Sequence, residues 1–124
     1  MLRRLSLIAA AVAFFVTAVA ALAQEKGPNG GLVAGKGSHK TELVMSATEL
    51  VVYLLEDGKA HESTGTSMRA VIQQSGKTTT VNLADQGGKR LVGKLAEPVA
   101  AGAIIVLTGR DHHGDVFSSR YVLK

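Results

Sequence analysis

From Leu32 onward the chain is cut into short apolar or alternating segments by Gly-, Asp- and Ser-rich breaks, and no window keeps a helical period. That punctuation constrains the fold more than any other feature, because strands of this length can bury an apolar face only by pairing with one another. We read strands near Leu32–Ala34, Lys40–Ala47, Glu49–Leu55, Ser67–Gln74, Thr78–Leu83, Arg90–Leu95, Ala103–Thr108 and Val116–Leu123. Asp57-Gly58, Ser75-Gly76, Gly87-Gly88 and His112-His113-Gly114-Asp115 supply the turns. Thr79, Val81 and Leu83 alternate with Thr80 and Asn82, so one face of that strand points inward. Ala103–Thr108 is apolar on both faces and reads as a central, doubly covered strand. Leu43–Leu55 carries some good helix formers, but Val44, Thr48, Val51, Val52 and Tyr53 favour strand. Seven or eight strands at intervals of about 8–12 residues predict an all-β domain, an immunoglobulin-like antiparallel β-sandwich.

The first residues predict where this domain works. Met1-Leu2-Arg3-Arg4 is a basic start, Leu5 to Val19 is almost unbroken Leu, Ile, Ala, Val and Phe, and Ala21-Leu22-Ala23 offers a processing site. That order is a secretory signal peptide over 1–23, cleaved after Ala23, which predicts a periplasmic location. The alternative is an uncleaved anchor, since the apolar run is nearly long enough to span a bilayer, and that would be the only membrane contact. Residues 24–31 (QEKGPNGG) read as a flexible entry with nothing to bury, ahead of the β-sandwich domain over 32–124.

About 100 residues remain after processing, the size of one small domain. The formal charge of +4 falls by the two charges of Arg3 and Arg4, and the remaining basic residues are scattered. That balance excludes a nucleic-acid footprint. There is no cysteine, so neither disulfides nor thiolate metal sites are possible. Gly30 to Lys36 matches the spacing of a phosphate loop, but Gly37 replaces its Ser or Thr, and no strand precedes it. Nucleotide is not a partner. No G-x-S-x-G elbow is present, and Ser118 and Ser119 near His112 and His113 make no triad by neighbourhood alone. The chain reads as a non-enzyme.

Gly27-Pro28-Asn29-Gly30-Gly31, Ser38-His39-Lys40-Thr41-Glu42-Leu43-Val44 and Leu50-Val51-Val52-Tyr53-Leu54-Leu55 before Asp57-Gly58-Lys59 together resemble a recurring bacterial periplasmic module. Val81-Asn82-Leu83, Arg90-Leu91-Val92-Gly93-Lys94 and Gly102-Ala103 resemble its second half. Such modules stand beside heavy-metal efflux systems, including the membrane-fusion subunits of metal-exporting RND pumps. The resemblance implies periplasmic efflux components as partners. It singles out His39, although Asn29 stands where the module has histidine, and Lys40 where it has the second of a histidine pair.

Four histidines are present, His39, His61, His112 and His113. With Asp111 and Asp115 they form a candidate set for copper, zinc or nickel, since imidazole and carboxylate suffice without thiolate. Asp111-His112-His113-Gly114-Asp115 places two imidazoles and two carboxylates on one turn, where neighbouring side chains can converge. The competing reading is that loop histidines are solvated and that His112-His113 binds metal only weakly, because no tight H-x-x-x-H spacing exists. A metal site then requires at least three of these side chains near one point. The rival function is a structural or protein-interaction module with no metal site, docking through a strand edge or through apolar residues at Val99–Ala103 and Phe117–Tyr121. Met45 and Met68 read as core fillers.

Overall fold

The computed structural model describes residues 25–124, so the expected signal peptide and its cleavage point lie outside the described residues. Ten strands form among the described residues: β1 (Glu25–Lys26), β2 (Leu32–Lys36), β3 (His39–Met45), β4 (Glu49–Glu56), β5 (Lys59–His61), β6 (Ser67–Gln74), β7 (Lys77–Gln86), β8 (Arg90–Lys94), β9 (Ile104–Arg110) and β10 (Val116–Val122). Among the described residues there is no helix, and the β-branched stretch through Val52 is strand. The count exceeds the seven or eight expected. A two-residue β1 and a three-residue β5 are too short to leave a periodic signature.

The strands hydrogen-bond in the order β1-β2-β3-β4-β8-β7-β6-β9-β10, with β5 on β4, all antiparallel. This is one curled sheet, a half-barrel. Tyr121, Phe117, Leu50, Leu54, Leu91, Ile105, Leu107 and Val52 are completely buried inside the curl. Phe117 and Tyr121, expected as docking surface, are therefore core. Ala103 is buried too, and Val99 packs against the same cluster. The doubly covered strand is also corrected: β9 buries Ile105 and Leu107 but leaves Ile104 and Val106 half-buried and Thr108 exposed.

The curl closes through side chains where its backbone ladder ends. β10 lies beside β2 and β3. Across that seam the Thr41 hydroxyl donates to Ser119 Oγ at 2.7 Å, Ser119 donates to the Ala34 carbonyl at 3.0 Å, and Tyr121 donates to the Thr41 carbonyl at 2.7 Å. Buried hydroxyls are tolerated there because each finds a partner.

The entry segment, expected to have nothing to bury, pairs and packs over residues 25–31. Glu25 and Lys26 pair with Val33 and Leu32, and the turn after them folds over Glu42, whose side chain is completely buried. Glu42 Oε2 accepts the backbone N–H groups of Asn29 and Gly31, each at 2.8 Å, and Oε1 accepts Asn29 Nδ2 at 3.0 Å. A Cβ at Gly27 or Gly31 would collide with the Glu42 side chain, so these two glycines permit the cover. A buried carboxylate with three donors holds this segment down.

Candidate functional site

Strand periodicity assembles the site. Residues two apart along a strand share a face. His39 shares the inward face of β3 with Thr41 and Leu43, and Glu56 that of β4 with Leu54, directly opposite His39. His61 at the end of β5 pairs with Leu54. Asp111 continues the inward series of Ile105 and Leu107, and Asp115 precedes that of Phe117. All five side chains thus form the last polar layer at one end of the interior, on top of Phe117.

The distances confirm the convergence. His39 Nε2 lies 3.5 Å from Asp115 Oδ2 and 3.8 Å from Glu56 Oε1. His61 Nδ1 is 3.1 Å from Glu56 Oε2, and its Nε2 is 3.0 Å from Asp111 Oδ2. Phe117 supports both imidazoles, edge-on to His39 at 5.2 Å and tilted to His61 at 5.9 Å between ring centroids. His39 Nε2 is buried yet has no hydrogen-bond partner, although Nδ1 reaches Ser38 Oγ at 3.3 Å.

Asp111 organises the turn. Its Oδ1 accepts the backbone N–H groups of His113 at 2.9 Å and Asp115 at 2.8 Å, and its side chain is fully buried. Burial alone would push this carboxyl up. The bonds from the Asp115 N–H, His61 and the His113 N–H outweigh it and hold the carboxyl below its usual value of 3.8.

Four of the six predicted residues, His39, His61, Asp111 and Asp115, therefore meet at one end. His112 and His113 sit on the turn outside the strand ladder, exposed and packed on each other at 3.8 Å between ring centroids. His113 approaches His61 only to 6.5 Å, and His112 backs onto Gly65. Glu56 is the residue that sequence reading missed. It sits in the strand immediately before the Asp57-Gly58 turn, two residues beyond Leu54, so period-two alternation carried the signal.

Among the described residues, no three His, Cys, Asp or Glu side chains stand as a ready-made metal cage. His61 instead bonds Asp111 and pairs with Glu56, while His39 Nε2 stays without a hydrogen bond. Glu56 and Asp115 are about half exposed, whereas the Asp111 side chain is fully buried and tied to two backbone N–H groups. The first two reach solvent; Asp111 does not. Ser119, considered beside the histidines for catalysis, is committed to the seam. The chain matches no protein-family model, no curated protein and no solved structure.

Proposed function

We propose that this protein is an exported, non-catalytic binding protein for a copper, zinc or nickel ion, serving heavy-metal handling in the periplasm beside efflux components. His39 Nε2 and His61 Nδ1, with Glu56 and Asp115, would hold the ion. Asp111 would orient His61 through Nε2, the supporting role that a carboxylate commonly plays behind a ligating imidazole. The observation that carries this reading is the orphaned His39 Nε2, buried and facing two carboxylate oxygens at 3.5 and 3.8 Å. Donors sharing a tetrahedral ion at about 2.0–2.2 Å stand about 3.4 Å apart, so this corner already has nearly the required spacing. A nitrogen and oxygen donor set without thiolate suits these three metals. The same reading takes the half-barrel as an immunoglobulin-like sandwich, in which β3, β4 and β8 face β6, β9 and β10 across the shared core.

The test uses protein purified from the periplasm of an expressing bacterium, where an intact mass starting at Gln24 checks export and processing together. Competition titration with Cu²⁺, Zn²⁺ and Ni²⁺ against a chelator of known affinity should give one site per chain. That site should be lost in His39→Ala and His61→Ala but kept in the His112→Ala/His113→Ala double variant. Weak binding of several equivalents, unchanged in His39→Ala, overturns the reading.

A second reading, an interaction module without metal, is favoured by the seam, where β10 ends the ladder and meets β2 through side chains. It expects a partner captured equally well by wild type and His39→Ala, with contacts mapped to β10.

A further inference from the structure

The outer face of β6, β7 and β9 carries a second feature, at the end of the strands next to the 111–115 turn but on the face turned away from His39 and His61, and independent of the metal reading. Alternation directs Ser67, Arg69, Val71 and Gln73 of β6 outward, with Thr78, Thr80, Asn82 and Ala84 of β7 and Ile104, Val106, Thr108 and Arg110 of β9. No aspartate or glutamate stands among them. Arg69 lies opposite Thr108 on one side and Asn82 on the other, and Arg110 lies opposite Ser67. The two arginines are therefore diagonal neighbours on paired strands, about 7–8 Å apart at the backbone.

Both are exposed, and neither guanidinium has an ion-pair or hydrogen-bond partner among the described residues, where every ion pair involves a histidine. Guanidinium stays charged at any physiological pH, so the sheet holds two like charges side by side with no counter-charge on that face. Together with Ser67, Asn82 and Thr108 they line a depression of about 380 Å³, and Val116, 49% exposed, forms its apolar rim.

We propose that this depression binds a tetrahedral oxyanion of the phosphate type, either free phosphate or the phosphate of a small monoester. A dianion relieves the Arg69–Arg110 repulsion and matches two planar guanidinium forks, each able to donate two parallel hydrogen bonds. The Ser67 and Thr108 hydroxyls and the Asn82 amide supply further donors to the remaining oxygens. Val116 lies opposite Arg110 in the same lining, so the carbon skeleton of a monoester has an apolar contact that free phosphate lacks.

The test is an amide chemical-shift titration of the metal-free protein with inorganic phosphate and, separately, glycerol 3-phosphate, against chloride at matched ionic strength. The proposal expects saturable shifts centred on Ser67, Arg69, Asn82, Thr108 and Arg110. Arg69→Gln or Arg110→Gln should weaken binding about tenfold and the double variant abolish it, while Arg120→Gln, on the same face but outside the depression, stays within about twofold. Tighter binding of glycerol 3-phosphate identifies an ester as the ligand, and equal binding identifies free phosphate. Non-saturating shifts spread over all lysines and arginines, or saturable binding that survives Arg69→Gln/Arg110→Gln, overturns the proposal.

Discussion

Replacing Asp111 with asparagine isolates what the buried carboxylate contributes to the end layer of the half-barrel. The substitution keeps the shape and one carbonyl oxygen, so the His113 and Asp115 N–H groups keep an acceptor. It removes the charge from those two bonds and replaces the Oδ2 that accepts from His61 Nε2 at 3.0 Å by an amide nitrogen, which cannot accept. Hydrogen bonds to charged groups contribute about 1.5–3 kcal/mol and neutral ones about 0.5–1.5 kcal/mol, so two conversions and one lost bond predict a loss of about 3 kcal/mol near neutrality. For a domain of about 100 residues that lowers Tm by roughly 12–24 °C. The pH dependence has a definite sign. The folded-state pKa of Asp111 lies below its ordinary 3.8, so its contribution is fully present above that value and is lost as pH falls through the lower, folded one. Urea unfolding of the metal-free protein, followed by far-ultraviolet circular dichroism, should show wild type and Asp111→Asn well separated at neutral pH and converging below about pH 4. A gap below about 0.5 kcal/mol at neutrality, or one that does not narrow in acid, would refute the account of this turn.

Glu42→Ala should cost about 3–5 kcal/mol, because it strands the Asn29 and Gly31 N–H groups, while Glu42→Gln, which keeps an oxygen for both, should cost less than half as much; urea melts compare the two. Burial pushes the Tyr121 hydroxyl up to about 12, so its stabilising effect is complete below pH 10 and lost as pH rises toward 12. Alkaline unfolding of Tyr121→Phe, read by circular dichroism, should accordingly lack the component that wild type shows in that window. Phe117→Leu removes the ring beneath His39 and His61 and should destabilise by about 1–3 kcal/mol, with proton shifts of both imidazoles moving in NMR spectra; unchanged imidazole resonances would refute the packing described.

Strand placement was largely readable because alternation and turn residues are local properties. The Asp57-Gly58 turn forms with φ of 50° and 77°, as an Asp-Gly pair between strands predicts. The candidate site was only half readable. Asp111 and Asp115 were visible as a turn motif, but so were His112 and His113, which the turn leaves outside the ladder. Parity along β4 pointed at Glu56, yet parity alone does not say which strands end at the same rim.

By itself, then, the sequence determined an all-β, cysteine-free domain with strands near their observed bounds, because burial of one strand face and the φ preferences of turn residues act over a few positions. Only the tertiary structure decided that ten strands curl into one half-barrel, and that Glu42 is roofed by the entry segment. It also decided that His39, Glu56, His61, Asp111 and Asp115 meet above Phe117 while Arg69 and Arg110 stand together on the opposite face. Those arrangements depend on register between strands distant in the chain, such as His39 with Glu56 and Arg69 with Thr108, and register is a property of pairing that no single segment contains.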